Sequence, residues 1–195
     1  AVTNAWLNGE TGVLKLAVTA APCGYCRQFL NELTTSNELK ILLEHENSNH
    51  SEVFKLSELL PQAFGPQDLE IKSRLMKTEN HKLEKKNIND KLVLSAIDAA
   101  NKSYAPYSKN YSGVSIKLSD GTIFSGRYAE NAAYNPSLSP LQSALAFINL
   151  NKKNWNNEKI IDAVLAEAVT DISQKETTET LLNSISKIKL RYYKI

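Results

Sequence analysis

The sequence has 195 residues, of which 42% are hydrophobic and 23% charged, and a chain of this composition buries one good core or two small ones. Its 23 basic and 21 acidic residues are interleaved and leave a net charge of +2, which excludes the basic surface of a nucleic-acid-binding protein. No stretch reaches the roughly 18 uninterrupted apolar residues of a membrane-spanning helix. The sequence opens without the basic-then-apolar pattern of a signal peptide, so we predict a cytoplasmic protein without membrane or nucleic-acid partners.

The first part of the sequence predicts the order helix, strand, helix, strand. Val2, Ala5 and Trp6 follow helical spacing, and Gly9 after them is typical of a helix C-cap. Neither a capping residue nor a methionine precedes this helix, so we expect the sequence to be cut from a longer protein. The run GVLKLAVTA predicts a buried strand, CGYCRQFLNEL a helix, and LKILLE a second strand.

A mixed-charge run and a helix follow. The run HKLEKKNINDK is typical of a solvated linker. The segment INDKLVLSAIDAANKSY predicts an amphipathic helix. Its expected apolar positions are Leu92, Leu94, Ala96, Ile97 and Ala100.

The remaining sequence predicts a hairpin and then a repeat of the opening order. Strands SGVSIKL and TIFSGRY flank Asp120-Gly121, a dipeptide that suits the positive dihedral angles of a tight turn. After the loop AENAAYNPSLSP come the helix LQSALAFINL, the strand IIDAVLAEAV, a helix around TTETLLNSI and the strand KIKLRYY. Because these four elements repeat the order helix, strand, helix, strand, the sequence indicates an internal duplication.

Cys23 and Cys26 are the only cysteines in the sequence. Their C-x-x-C spacing argues against a structural disulfide framework and for metal binding or redox chemistry. A thioredoxin-like dithiol oxidoreductase carries the same motif at the start of a helix, and this alternative stays open. A non-catalytic scaffold is the third class that the sequence allows.

The sequence resembles the zinc-dependent cytidine deaminases of the two-domain, homodimeric bacterial type. Zinc deaminases carry a His-x-Glu motif followed by Pro-Cys-x-x-Cys, and PCGYCRQ matches the second part. The segment LLPQAFGPQDLEI resembles the stretch that joins the two domains, and SYAPYS with DGTIFSGRYAENAAY resembles the opening of a deaminase domain. The resemblance covers the C-terminal two-thirds of such a protein. It implies an α/β, three-layer deaminase fold that is duplicated, with the first copy truncated at its N-terminus.

The resemblance also implies a division into domains. Residues 1–71 correspond to the C-terminal part of the catalytic domain with the joining segment, residues 72–89 to a linker, and residues 90–195 to a second, metal-free domain. In that second copy the positions of a ligand, a spacer and the catalytic glutamate are taken by Ser139, Pro140 and Leu141. Tyr128 replaces a ribose-binding asparagine, so Glu130 is expected to be structural.

Two of the implied zinc ligands are Cys23 and Cys26. Residues three apart share a helix face, and the positive end of a helix favours the thiolates that zinc requires, with Arg27 adding a full charge behind them. The third ligand, a histidine, and the catalytic glutamate are expected upstream of Ala1. The three histidines that the sequence does contain are expected to be solvated: His45, His50 and His81.

The resemblance places Phe64, Ala133 and Tyr134 at a pocket wall between two subunits, with core packing as the alternative for Phe64 and Tyr134. It implies a zinc hydrolase of pyrimidine salvage, which deaminates cytidine, and deoxycytidine as well, to uridine plus ammonia through a zinc-bound hydroxide. The glutamate would carry the protons. The sequence by itself, lacking that glutamate and the histidine ligand, is expected to be inactive.

Overall fold

The computed structural model describes residues 1–44, 51–84 and 87–195. Helices and strands are interspersed along the chain, so the predicted mixed α/β class is confirmed. The elements are α1 (Val2–Leu7), β1 (Lys15–Val18), α2 (Gly24–Leu30), β2 (Lys40–Glu44), β3 (Ser51–Lys55), α3 (Leu56–Leu59), α4 (Lys91–Asn101), β4 (Ser112–Leu118), β5 (Ile123–Arg127), α5 (Pro140–Asn151), β6 (Ile160–Glu167), α6 (Lys175–Ile185) and β7 (Arg191–Lys194). Within the described ranges, no helix has the length and apolar character needed to cross a membrane.

The first sheet has the order β1-β2-β3. The strands β1 and β2 are parallel, as the helix between them requires, and β3 runs antiparallel to β2. The order helix, strand, helix, strand predicted for this part of the chain is confirmed. The strand β3 is not among the sequence-based predictions, because SEVFK is too short and too polar to predict a strand without its partner.

The helix α1 ends as its sequence predicts. Gly9 follows it with a φ of +93°, in the left-handed region that favours glycine. Its backbone N–H donates to the Trp6 carbonyl, and the N–H of Glu10 donates to the Ala5 carbonyl. The Trp6 ring is buried under the guanidinium group of Arg127, 4.2 Å from the ring centre. This contact joins α1 to the second half of the chain.

The second sheet has the order β5-β4-β6-β7 and lies between two layers of helices. On β6, Ala163 and Leu165 face a core that includes residues of α5 and α6, whereas Val164 and Ala166 face α4. The hairpin between β4 and β5 is confirmed, with Gly121 at a φ of +86°. The parallel pair of β6 and β7 completes the repeated order of elements.

The apolar face of α4 differs from its prediction at one position. Leu94 is 45% exposed, and Val93 is fully buried in its place. The other predicted positions are buried. The buried face therefore keeps four of its five predicted positions and extends to Val93 instead of Leu94, because the helix packs against both β4 and β6.

The first core draws residues from both halves. Leu75 and Met76, which fall within the predicted linker, are buried in it together with Tyr104 and Ala129 of the second half. The backbone of Leu75 exchanges hydrogen bonds with Glu32 and Thr34. The domain boundaries stay a prediction, but the first part of residues 72–89 packs in this core.

His81 also differs from its prediction as a solvated residue. Its ring stacks on Tyr111 with the centres 3.5 Å apart, and its Nε2 atom lies 2.8 Å from the Ser103 carbonyl oxygen. The predictions for His45 and His50 lie outside the described residues.

Candidate metal centre

The cysteine pair lies at the start of α2, after the loop that follows β1. Cys23 is the N-cap residue of α2 and Cys26 follows in the first turn, while Pro22 fixes the extended chain before them. The Cys23 sulfur forms no regular capping hydrogen bond with α2, but it lies close to the backbone N–H of Cys26. Both thiols are exposed and unbridged.

The two sulfur atoms fit one metal ion. They are 3.5 Å apart. Two sulfurs that each lie about 2.3 Å from a tetrahedral zinc are separated by about 3.8 Å. The observed spacing therefore needs only a small adjustment, and thiolates are ligands that zinc prefers.

The two thiols differ in their electrostatics. The backbone N–H of Cys26, and then the Cys26 thiol, hold the pKa of the Cys23 thiol below its usual value. The hydrogen bond with Cys23 raises the pKa of Cys26, and burial adds to this. The backbone N–H groups at the start of α2 thus favour the ionised form of the Cys23 thiol.

Arg27 supports the turn that presents the cysteines. Its Nε atom donates to the Pro22 carbonyl at 2.7 Å and one terminal nitrogen donates to the Leu59 carbonyl at 2.8 Å. The guanidinium group thus fixes the residue before Cys23 against the end of α3. The expected influence of its charge on the thiolates stays a prediction.

The cysteines open into an apolar cleft of about 670 Å³. Leu16 and Val18 of β1 and Phe29 of α2 form one side, and Pro136 and Leu138 from the second half form the other. A neighbouring cleft of about 440 Å³ lies between α2 and the same loop of the second half. The loop 131–138 is therefore a wall that both clefts share.

Phe64, Ala133 and Tyr134 lie around the outer side of α2. The Phe64 carbonyl accepts hydrogen bonds from the side chains of Gln28 and Asn31. The side chains of Phe64 and Tyr134 are 46% and 67% exposed, which excludes core packing within this chain. Ala133 lines the second cleft. Their role at a pocket wall between subunits stays a prediction.

In the second half, the positions at which the resemblance predicts a lost metal motif form the start of a helix. Ser139 caps α5 in a reciprocal arrangement with Gln142, Pro140 is the first helical residue and Leu141 is buried in the core. The Glu130 carboxylate accepts hydrogen bonds from the backbone of Tyr107 and Ser108, which is the structural role predicted for it.

No third ligand joins the cysteines in the part of the chain that the structure describes. Those residues contain no group of three or more His, Cys, Asp or Glu side chains that could hold a metal ion. In the sequence, no histidine precedes Cys23. The described residues thus offer two candidate ligands, and a tetrahedral zinc site needs further groups.

The sequence does not predict the polar groups that hold α2 in place. The side-chain amide of Asn131 donates to the Gln28 carbonyl at 3.1 Å. The Glu32 carboxylate accepts hydrogen bonds from three groups of the second half. No local signal marks Glu32, because Phe29, Leu30 and Leu33 complete an apolar helix face without it.

The fold and the site define an α/β protein with a pair of thiols suited to a metal ion. Residues 56–179 match the family model described as the cytidine and deoxycytidylate deaminase zinc-binding region. The matched residues are more than half of the chain, and the chain belongs to this family. The match lies beyond Cys23 and Cys26.

Curated cytidine deaminases are similar to the chain over nearly its whole length. The protein of Photorhabdus laumondii is 46% identical over an alignment of 196 positions, which covers 99% of this chain and 63% of the relative. The protein of Histophilus somni is 44% identical over 195 residues, which are 100% of this chain and 62% of the relative. The chain thus spans less than two thirds of the length of these relatives.

Solved structures of cytidine deaminases are similar to a lower degree. The enzyme of Burkholderia pseudomallei is 22% identical with a TM-score of 0.44, covering 54% of this chain and 82% of that chain. The enzyme of Mycobacterium leprae is 22% identical with a TM-score of 0.43, covering 55% of this chain and 89% of that chain.

Proposed function

We propose that the complete protein containing this sequence is a zinc-dependent cytidine deaminase, a hydrolase that converts cytidine, and deoxycytidine as well, to the uracil nucleoside plus ammonia. The observation that carries the proposal is the pair of exposed sulfur atoms 3.5 Å apart at the start of α2, in a chain of the deaminase family. The names of the relatives support cytidine as the substrate. Pyrimidine salvage in the cytoplasm is the setting that we propose for this reaction.

The residues of this chain hold the metal and shape the cleft around it. Cys23 and Cys26 supply two thiolate ligands, and Arg27 keeps the preceding turn in position. When bound, zinc activates a water molecule for attack on the ring carbon that carries the amino group. Pro136 and Leu138 give the cleft an apolar wall, which suits the flat face of a pyrimidine ring and restricts the access of bulk water.

The remaining parts of the centre are proposed to come from outside this sequence. A tetrahedral site that keeps one position for water needs a third protein ligand, for which we propose a histidine. A glutamate beside it would move protons between water, ring nitrogen and ammonia, a role worth roughly 10² to 10⁴ in rate. The second half has no cysteine, and Ser139, Pro140 and Leu141 stand at the start of α5, so we propose one zinc per chain.

The test of this function compares two proteins. The first is expressed from the complete reading frame that contains this sequence, and the second consists of residues 1–195 alone. We expect the first to bind one zinc per chain and to release ammonia from cytidine, and the second to do neither at a comparable level. Two zinc ions per chain, or deamination by residues 1–195 alone, would contradict the assignment of the centre. Reversible oxidation of both thiols with no bound zinc would favour a dithiol oxidoreductase.

We also propose a homodimer whose contact includes Phe64 and Tyr134, with Ala133 and Tyr134 near the second copy's pocket. The support is the pair of exposed aromatic side chains beside α2, since large aromatic residues are enriched at interfaces. Tyr134 has a φ of +61°, so Tyr134→Asn is a suitable variant, because asparagine tolerates that conformation. We expect the double variant Phe64→Ala, Tyr134→Asn to raise the dissociation constant of the dimer by at least about tenfold, as measured by analytical ultracentrifugation.

The matched control is Val169→Ala, since Val169 is 68% exposed and does not line the clefts at α2. It should leave the dimer intact. A wild-type protein that is monomeric and fully active at low concentration would overturn the proposed assembly.

A further inference from the structure

Glu32 is a buried carboxylate just beyond the helix that carries the cysteines. It follows α2 by two residues, and its side chain is fully buried. One carboxylate oxygen accepts a hydrogen bond from the Tyr104 hydroxyl at 2.7 Å and another from the Tyr107 hydroxyl at 2.9 Å. The other oxygen accepts the backbone N–H of Ala132 at 2.8 Å. A buried carboxylate needs such donors, because water cannot replace a hydrogen bond that the carboxylate loses.

All three donors belong to the second half of the chain. Ala132 lies in the loop 131–138, so its hydrogen bond fixes this loop to the end of α2. A second contact reinforces the first, since the amide of Asn131 donates to the Gln28 carbonyl within α2. The loop is therefore attached to α2 at two successive residues. Burial raises the pKa of Glu32 above its usual value, against the opposing influence of these donors.

The loop that Glu32 fixes is the wall of both clefts at the cysteines. Pro136 and Leu138 face the cleft that contains Cys23 and Cys26. Ala133, Asn135 and Pro136 face the neighbouring cleft against Tyr25 and Gln28. A displacement of this loop changes the width of both clefts without moving either sulfur atom.

We propose that Glu32 is a positioning residue that sets the distance between the cysteine helix and the loop 131–138, and so determines how tightly a nucleoside fits beside the metal. The proposal rests on the deaminase function proposed above. Glu32 does not touch the reacting atoms. Its loss should weaken the binding of substrate and product, while the zinc and the chemical step are retained.

The chain contains a matched control in its second half. Glu167 is also buried and also accepts hydrogen bonds from a tyrosine hydroxyl, a backbone N–H and other side chains. The groups that donate to its carboxylate lie outside the loop 131–138 and belong to Asn110, Ser173, Gln174 and Tyr192. A general effect of removing a buried carboxylate should therefore appear in both variants, whereas a positioning effect should appear only at Glu32.

The experiment uses the protein expressed from the complete reading frame, with the variants Glu32→Ala, Glu32→Gln and Glu167→Ala. Zinc content, kcat and KM for cytidine, and the Kd for uridine are measured for each. For Glu32→Ala we expect an unchanged zinc content, KM and Kd raised by about tenfold and kcat within about threefold of wild type. Glu32→Gln keeps an acceptor for the Ala132 N–H, so its KM should lie within about threefold of the wild-type value. Glu167→Ala should lower stability and leave KM unchanged.

A second variant and a second readout keep the test decisive if Glu32→Ala fails to fold. Tyr107→Phe removes one donor and should raise KM by about threefold. In amide hydrogen exchange, the loop 131–138 should exchange faster in this variant than in wild type, with no such change in Glu167→Ala.

Three results would overturn the inference. They are a loss of zinc in Glu32→Ala, an equal rise of KM in Glu167→Ala, and unchanged exchange of the loop in the Glu32 and Tyr107 variants. If the wild-type protein neither deaminates cytidine nor binds uridine, the proposed function itself fails. The exchange data then still show whether Glu32 holds the loop.

Discussion

The two halves of the chain repeat one run of elements but differ at the start of the second helix. In each half a parallel pair of strands is connected through a helix, α2 between β1 and β2 and α6 between β6 and β7. The first of these helices begins beside two exposed thiols. The second follows Gln174, which is buried and whose backbone N–H donates to the buried Glu167. The strand pairing is thus kept where the thiols are absent, so metal binding is separable from the fold.

The halves also differ in how closely their layers pack. The central strands β4 and β6 are covered on both faces, whereas β1 alternates between exposed and half-buried residues. The two candidate metal ligands, Cys23 and Cys26, lie in the first half. Stability and chemistry are therefore expected to respond to different substitutions, and the predictions below test this separation.

The largest effect is expected at the cysteines. In the protein from the complete reading frame, Cys23→Ser and Cys26→Ser each remove a zinc ligand, and we expect zinc content and deamination to fall by more than about 10²-fold. The variant Gln174→Ala at the equivalent helix start should retain both. Zinc analysis and ammonia release decide between these results. Full zinc content in either serine variant would show that the metal is held elsewhere.

A large effect on stability is expected at Gly126 in the second half. A Cβ atom there would lie 2.1 Å from the backbone nitrogen of Ala144, because α5 packs directly on β5. We expect Gly126→Ala to lower the free energy of unfolding by about 3 kcal/mol. At Gly24, in α2, the added Cβ meets nothing within 4 Å. Gly24→Ala should therefore change stability by less than about 1 kcal/mol. Equal losses in urea unfolding would contradict the difference in packing.

Local signals explain which parts of the fold the sequence predicts. Gly9 and Gly121 mark their turns because both adopt a positive φ, a property of the residue itself. The spacing of Cys23 and Cys26 brings their side chains together at the start of α2, one from the N-cap and one from the first turn, for the same local reason. The order of helices and strands follows from such short-range patterns and is confirmed.

The features that the sequence does not predict depend on contacts between residues that are distant in sequence. The bond between Glu32 and Tyr104 spans 72 residues, and nothing near either residue predicts it. Leu75 is buried only because it forms a bridge with Leu33 across the first core. The strand β3 forms because its backbone pairs with the free edge of β2. The shared wall of the clefts could not be predicted for the same reason.

The smallest effect is expected at the start of α4, where the second half has the side-chain cap that α2 lacks. One oxygen of Asp90 accepts the backbone N–H of Leu92, and the other accepts a hydrogen bond from Arg191 on β7. The bond from Arg191 holds the pKa of Asp90 below its usual value of 3.8. Because the folded pKa is lower than the unfolded one, the stabilisation is complete above about pH 4 and is lost as the pH falls through the folded pKa.

Two substitutions separate the cap of Asp90 from its ion pair. Asp90→Asn keeps the cap and removes the charge, and since both partners are more than a third exposed we expect a loss of about 0.5 kcal/mol at pH 7. Asp90→Ala removes both contacts and should cost about 1.5 kcal/mol. Urea unfolding at pH 7 and pH 3 measures both differences. The gap between wild type and Asp90→Asn should shrink at pH 3, whereas the cap contributed by asparagine should not change, because an amide does not titrate. A gap that is as large at pH 3 as at pH 7 would mean that the charge on Asp90 does not stabilise the fold.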